Sequence, residues 1–190
     1  MYVISFTGAN GHIKPWNATR DIFINSQKFL TPSIIRGMQD MLGVKSIDRH
    51  RLSCVTINKQ QEITEPRAFF KSGEDKKDKN SIILRGVLIN PILSLGFNRE
   101  DDAVEASQQT VCLCRNEDIL YPSEIQEMTP EEFDEIPGFE LIFIQDDKTI
   151  RETEDIICVG YNRYDLKLMY GTLKIVGDPV SPDNYEVQYV

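Results

Sequence analysis

The sequence predicts an α+β domain whose β-sheet is largely antiparallel. About eight short runs rich in β-branched and aromatic residues are typical of strands, and two or three segments have helical periodicity. Turns separate most of the strands, and the helices do not alternate regularly with them, which disfavours a doubly wound parallel sheet. The 190 residues, 41% hydrophobic and 27% charged, fit one domain over residues 1–190 with a core of its own.

The first strand is predicted almost at the first residue, and further strands follow along the whole chain. Alternating or continuous apolar runs predict strands at residues 2–7, 49–57, 82–89, 110–114, 140–145, 156–161, 167–176 and 185–190. After the strand at 82–89, the chain breaks at Asn90-Pro91, and a further short strand runs to Phe97.

The clearest helix is predicted over residues 29–43. Thr31 is a good N-cap, Pro32 fits the first helical position, and Gly43 is a C-terminal stop. Gly37 in the helix interior costs about 1 kcal/mol relative to Ala, so we expect it to permit a close approach to a neighbouring strand.

Two shorter helices are predicted in the second half. Residues 101–109 begin with two aspartates, which suit the N-terminal end of a helix dipole. Thr129 and Glu132 have the spacing of a capping box, with Thr129 at the N-cap and Glu132 at the third helical position.

A polar insertion over residues 57–80 separates two strand-like runs. A connection of that length is either a disordered loop or a functional arm, because compact domains rarely need one. It contains Phe69 and Phe70 and six basic residues: Lys59, Arg67, Lys71, Lys76, Lys77 and Lys79. Just after it, Arg85 lies within an apolar run, where an unpaired charge is costly, so we expect it to face an anion, a carboxylate or solvent, with pairing inside the fold as the default.

Charge is distributed unequally along the chain. Residues 1–99 hold 15 Lys+Arg against 8 Asp+Glu, a net charge of +7, whereas residues 100–190 hold 6 against 22, a net charge of −16. This asymmetry indicates an anionic partner for the first half or a basic protein partner for the second. The alternative is that the two halves neutralise one another across the folded surface.

The four cysteines, Cys54, Cys112, Cys114 and Cys158, form no C-x-x-C pair, and the only histidines, His12 and His50, are not in metal-ligand spacing. We therefore expect no metal and no cofactor, and thiols buried as small hydrophobes. No apolar run could span a membrane and no secretory signal opens the chain, so a cytoplasmic protein is expected.

No nucleotide-binding, metalloprotease or serine-hydrolase motif is present. A metal-independent ribonuclease using His12 or His50 is an open alternative, because imidazole titrates near neutral pH. RNA binding without catalysis has more support, since cations interleaved with Trp16 and the two phenylalanines are what single-stranded RNA recognition needs.

The order of features resembles that of RAMP subunits of CRISPR effector complexes, specifically the subunit that grips the 5′ handle of the guide RNA. The resemblance covers residues 2–97: the strand YVISFT, the helix FLTPSIIRGMQDMLG, the strand RHRLSCVTI, the basic insertion as a β-hairpin thumb, and the return strand SIILRGVLINPILSLGF. It implies a ferredoxin-like fold with a long β-hairpin insertion, a role in antiviral defence, and other protein subunits as partners. The family's glycine-rich loop is not evident here.

The resulting hypothesis is a non-catalytic subunit that holds guide RNA through the basic half, 1–99, while the acidic half, 100–190, faces protein neighbours. The alternative from another class is an acidic interaction or inhibitory module that does not bind RNA. The residues predicted to contact RNA are Lys14, Trp16, Arg20, Arg36, Arg49, His50, Arg51, Lys59, Arg67, Lys71, Lys76, Lys77 and Lys79.

Overall fold

A computed structural model describes residues 1–15, 23–64, 81–144, 155–162 and 166–180. These residues form a mostly-β α+β protein with a nine-stranded antiparallel sheet, a smaller mixed sheet and three helices. The helices are α1 (Pro32–Leu42), α2 (Glu100–Ser107) and α3 (Pro130–Glu135). The strands are β1 (Tyr2–Thr7), β2 (Asn10–Gly11), β3 (Phe23–Asn25), β4 (Arg49–Ser53), β5 (Thr56–Thr64), β6 (Ser81–Ile89), β7 (Ile92–Phe97), β8 (Val111–Cys112), β9 (Ile119–Pro122), β10 (Gln126–Glu127), β11 (Gly138–Ile144), β12 (Ile156–Asn162) and β13 (Lys167–Val176).

Helix α1 confirms the predicted helix and both of its ends. Thr31 has extended backbone geometry before Pro32, and Gly43 has a left-handed conformation (φ 68°) with its N–H donated to the carbonyl of Gln39. The Thr31 side chain does not cap the helix; its hydroxyl lies 3.0 Å from that of Ser33.

The expectation for Gly37 was wrong. A Cβ built at this position would meet no atom within 4 Å, and the residue is exposed. Gly37 therefore permits no close approach, and nothing in the structure explains why a glycine stands there.

Helices α2 and α3 begin as predicted. The first turn of α2 carries Glu100, Asp101 and Asp102. In α3 the full capping box is present, with the Glu132 N–H donated to Thr129 Oγ1 and the Thr129 N–H donated to Glu132 Oε2.

The main sheet has the order β12-β13-β11-β4-β7-β1-β9-β8, and β10 pairs with β1 outside this path. Strands β4 and β7 pair over five residues and β7 and β1 over six, whereas β4 meets β11 at only one residue pair, Leu52 with Phe139. Beyond that pair, the Leu141 N–H is donated to the His50 ring at 3.4 Å. A side chain thus replaces part of the strand pairing where β11 joins the sheet.

The core lies between one face of this sheet and the helices α1 and α2. Alternate residues of β1 and β7 point to that face, as the period of two in a strand requires. Together with residues of the helices they form one cluster, which includes Ile4, Phe6, Met38, Leu42, Leu93, Leu95, Phe97, Ala103 and Ala106.

The short helix α3 packs on the opposite face of the sheet through Phe133, which is fully buried. A Cβ at Gly96 of β7 would lie 3.5 Å from the Phe133 ring, and the Arg49 guanidinium of β4 lies 4.8 Å from its centroid. This face of β4 and β7 is therefore covered.

The smaller sheet is built around β6. Strand β5 pairs antiparallel with β6 over all nine residues of each strand, β2 pairs antiparallel with its end, and β3 pairs with it in parallel. Of the hairpin that the resemblance implied at the insertion, the structure gives the antiparallel pairing of these two strands; the connecting residues 65–80 lie outside the described residues. The single strand predicted over 49–57 is in fact two, because the chain passes from the main sheet to the smaller one at Cys54-Val55.

The prediction of buried cysteines holds for Cys54 but is wrong for Cys112 and Cys114, which are exposed. Val111 and Leu113 are buried, so the two cysteines do share a side, and it is the solvent side. The last strand predicted, 185–190, falls outside the described residues, and no helix in the described ranges is long and apolar enough to cross a bilayer.

Candidate nucleic-acid interface

Strands β5 and β6 pair over nine residues on the two sides of the connection 65–80, and we call β5, β6 and the sequence between them the basic arm. Charged side chains connect its two strands to each other and to the turn between β8 and β9. Arg85 donates to Glu62 across the two strands at 2.6 Å, as the sequence predicted for this arginine, and Arg115 donates to the other oxygen of Glu62 at 2.8 Å. Burial raises the pKa of the Glu62 carboxyl, but the two guanidinium groups outweigh it and the net shift is downward.

Arg115 joins the arm to the turn between β8 and β9. It forms a two-pronged pair with Asp118, whose side chain is fully buried, at 2.6 and 2.8 Å, and this pair raises the pKa of Arg115. Asp118 also accepts the backbone N–H of His12 at 3.1 Å. Paired charges of this kind hold β5 and β6 against the turn between β8 and β9.

At the foot of the arm lies a groove of about 330 Å³, which we call the arm-foot groove. Three strands form it: β3 and β5 flank β6, and the register places Asn25, Gly86 and Lys59 in one row across them. Gly86 contributes no side chain, and the side chain of Asn25 occupies the space where its Cβ would stand. The residues that line the groove are Phe23, Asn25, Lys28, Ile57, Asn58, Lys59 and Gly86.

No carboxylate of a described residue lines the arm-foot groove. The Lys59 ammonium lies 5.3 Å from the centroid of the Phe23 ring, and the Lys28 ammonium lies 5.6 Å from that of Phe139. Neither lysine has an ion pair with another described residue. A groove that has cations beside aromatic rings and no described acid in its lining suits a negatively charged ligand that carries a flat ring.

A second cluster of charges lies on the α3 side of the main sheet, and we call it the sheet-face network: Arg49, Arg51, Asp134, Glu140 and Lys174. Arg49 holds Glu140 with two bonds of 2.6 and 2.8 Å and Asp134 with one of 2.6 Å. Arg51, whose side chain is 0% exposed, donates to Glu140 at 3.0 Å. Lys174 completes the network through Asp134 at 3.0 Å.

The protonation of this network follows from its pairs. The hydrogen bond from Arg49, reinforced by Lys174, lowers the pKa of Asp134 to about 2. Burial raises the pKa of Glu140, but Arg49 and Arg51 outweigh it and the pKa is lowered overall. Both acids are therefore ionised at neutral pH and neutralise the arginines.

The larger cavity, of about 430 Å³, opens where β4 and β11 separate. Its walls are apolar residues of α1 and β11, and its charged members include Asp48 and Glu140. The acids disfavour an anionic ligand, so size alone does not make it the candidate site.

Neither histidine is placed for acid–base chemistry. His12 is 1% exposed, its Nδ1 lies 3.2 Å from the Gly86 carbonyl, and burial lowers its pKa. Since that carbonyl can only accept, the ring carries its proton on Nδ1, and Nε2 has no partner among the described residues. His50 is 9% exposed and burial lowers its pKa to about 4. Both rings are neutral at pH 7 and shielded from a substrate.

The structure thus separates the residues predicted to bind RNA into three groups. Lys14 and Lys59 are exposed, and neither has an ion pair with a described residue. Arg36 is exposed and paired with Asp40 at 3.3 Å, while Arg49, His50 and Arg51 are turned to internal partners; the buried Arg51 in particular offers no surface to RNA. The remaining residues lie outside the described ranges: Trp16, Arg20, Arg67, Lys71, Lys76, Lys77 and Lys79.

Sequence reasoning missed Phe23, Asn25, Lys28 and Gly86. Phe23, Asn25 and Lys28 precede the first segment with clear helical periodicity, whereas Gly86 lies within a predicted strand, and only the parallel pairing of β3 with β6 brings them together. The short alternation of Phe23-Ile24-Asn25 was the one available signal, and three residues are too few to predict a strand.

Comparison with known proteins gives no assignment. A scan against protein-family models found no match, and a search of the curated proteins found no significant similarity.

Among the described residues no group of three or more His, Cys, Asp or Glu side chains is placed to hold a metal ion.

Proposed function

We propose that this protein is a non-catalytic RNA-binding subunit of a cytoplasmic, CRISPR-type ribonucleoprotein complex and that it grips the guide RNA, at its 5′ handle, with the basic arm. The observation that carries the proposal is a division between arginines and lysines. Every described arginine has an ion pair, whereas the described lysines of the first half, Lys14, Lys28, Lys45 and Lys59, have none with described residues.

This division bears on the alternative that the basic and acidic halves of the chain neutralise one another. The acidic half does neutralise Arg49 and Arg51, through Asp134 and Glu140. No described acid of that half pairs with Lys14, Lys28 or Lys59. In the sequence, the connection 65–80 adds five cations, Arg67, Lys71, Lys76, Lys77 and Lys79, beside four acids, Glu65, Glu74, Asp75 and Asp78. Lysines without a counter-charge gain affinity for RNA phosphates because binding releases the counterions of the RNA.

We further propose that the central strands have the ferredoxin-like arrangement. The order of β1, α1, β4, β7, α2 and β9 along the chain is that of a β-α-β-β-α-β unit, and β4, β7, β1 and β9 are neighbours in the antiparallel sheet. In RNA-binding sheets of this kind the bases stack on the open face. Here α3 covers that face, which favours the arm as the RNA-binding element.

The proposal is tested by measuring the affinity for single-stranded CRISPR repeat RNA against salt, by fluorescence anisotropy. We expect log K to fall linearly with log[salt], with a slope of about −0.7 for each phosphate neutralised. Charge reversal of Lys76, Lys77 and Lys79 should weaken binding by several-fold at least, while Lys45→Glu, at an exposed lysine between α1 and β4, serves as the single-charge control.

Absence of binding, or a slope near zero, would contradict the proposal. The acidic interaction module makes the opposite prediction. Under it, changing Glu131, Glu132 and Asp134 to amides removes the function, measured as capture of the complex's other subunits, and the lysine changes do nothing.

A further inference from the structure

We infer that the arm-foot groove is a binding site for one nucleotide of a single-stranded RNA, with a base on Phe23 and a phosphate at Lys59 and Lys28. The inference rests on the proposed function and deepens it by naming the site and the ligand.

The shape of the groove comes from one glycine. A Cβ at Gly86 would lie 2.2 Å from the side-chain oxygen of Asn25 and 3.1 Å from its Cα, so any other residue there displaces Asn25. The backbone of Gly86 is held in place by two contacts of its carbonyl, which accepts the Ser26 N–H at 2.8 Å and lies 3.2 Å from Nδ1 of the His12 ring. The floor of the groove is therefore the Asn25 side chain, packed on the fixed backbone of Gly86.

The chemistry of the walls matches the three parts of a nucleotide. Phe23 is partly exposed and offers a ring for stacking, which contributes to affinity without depending on the base. Lys59 and Lys28 supply positive charge for a phosphate. Asn25 is exposed, and its amide makes no hydrogen bond to another described residue, so it is available to a base edge or a 2′-hydroxyl.

The volume fits a ligand of this size. About 330 Å³ lies at the lower end of the range of small-molecule pockets, which is about 300–1,000 Å³. The described residues leave the groove open on one side, as a site must be if a polynucleotide is to pass through it.

The test uses nuclear magnetic resonance on the full chain, with the side-chain amide of Asn25 and the backbone amide of Gly86 as reporters. Titration with adenosine 5′-monophosphate should shift both signals. Phe23→Leu should weaken this binding about tenfold, and Lys59→Gln by several-fold. The matched controls are Phe143→Leu, an exposed ring in the larger cavity, and Lys45→Gln, an exposed lysine outside the groove.

Two outcomes would overturn the inference. One is that inorganic phosphate alone shifts both signals as much as the nucleotide does, because the site would then hold only an anion. The other is that the Phe23 and Lys59 variants bind a short oligouridylate as tightly as the wild type.

The same variants separate this inference from the proposed function. If Lys76, Lys77 and Lys79 matter for RNA affinity and Phe23 and Lys59 do not, the arm binds RNA without the groove. If the mononucleotide binds in the groove but repeat RNA does not bind the protein, the groove is a nucleotide site and the proposed function is wrong.

Discussion

Two basic regions of the first half, the sheet-face network and the arm-foot groove, differ in the origin of their counter-charges. Arg49 and Arg51 find theirs within the chain, on Asp134 and Glu140. Lys28 and Lys59 find none among the described residues. Both regions contribute cations to the positive net charge of residues 1–99, yet one is paired within the fold and the other, under the proposed function, binds an anion.

The network uses arginine and the groove uses lysine, and the chemistry of the two side chains fits the difference in their counter-charges. The planar guanidinium of arginine makes two parallel bonds to a carboxylate, as Arg49 does with Glu140 and Arg115 with Asp118. A lysine ammonium is a point charge on a flexible stem and keeps its solvation until a ligand arrives. The comparison therefore predicts stability effects at the network and binding effects at the groove.

The largest expected effect is on stability, from Glu140→Ala. It would leave Arg51, with a side chain 0% exposed, without its main partner, and breaking a buried pair costs about 3–5 kcal/mol. Urea unfolding measures the change, and Glu131→Ala, an exposed acid of α3 outside the network, is the matched control. RNA affinity of the folded protein should be unchanged. A loss below about 1 kcal/mol would mean that the network does not hold the sheet face together.

The next effect is the pH dependence of stability, which the buried His50 dominates. Its pKa in the folded protein, about 4, is below the value of 6.5 for the unfolded chain, so between these values the unfolded state binds more protons. Stability contributed by the neutral ring is complete above pH 6.5 and is lost as the pH falls toward 4, by up to about 3 kcal/mol.

Unfolding free energies measured across this pH window check that expectation. His50→Gln should flatten the slope but not abolish it, because the pKa of His12 is lowered as well. An unchanged slope in the variant would show that the His50 ring is hydrated in the folded protein.

These two expectations also show how far the sequence could predict the site. Arg49, His50 and Arg51 were predicted to bind RNA because they begin a strand in a basic half. Their partner Glu140 is about ninety residues away and was assigned only to a strand, so the pairing required the contact between β4 and β11. Lys59, by contrast, lies on an arm that was recognisable from its length and composition.

The fold was predictable where its causes are local. Helix α1 has Pro32 and Gly43 at its ends, and α3 has its capping box, and each began at the predicted residue. The strands β2, β3, β9 and β10 are two to four residues long and exist because of partners distant in sequence, so no local pattern identifies them well. For the same reason the division of residues 49–57 between two sheets was not predictable.

The smallest expected effect concerns neither basic region and is a control for both. Gly37 is exposed within α1 with open space around it, so Gly37→Ala should stabilise the protein by about 0.5–1 kcal/mol. Thermal unfolding measures the gain, and RNA affinity should not change. Gly43→Ala, at φ 68°, should do the opposite and destabilise the helix end.

The comparison of the two basic regions is tested most directly by the acetylation rate of each lysine, with and without bound repeat RNA, measured by mass spectrometry on the full chain. The account predicts that RNA protects Lys59 and Lys28 and leaves Lys45 and Lys174 unchanged. Protection of Lys174, in the sheet-face network, with no protection of Lys59 would contradict it and would place the RNA on the α3 side of the sheet.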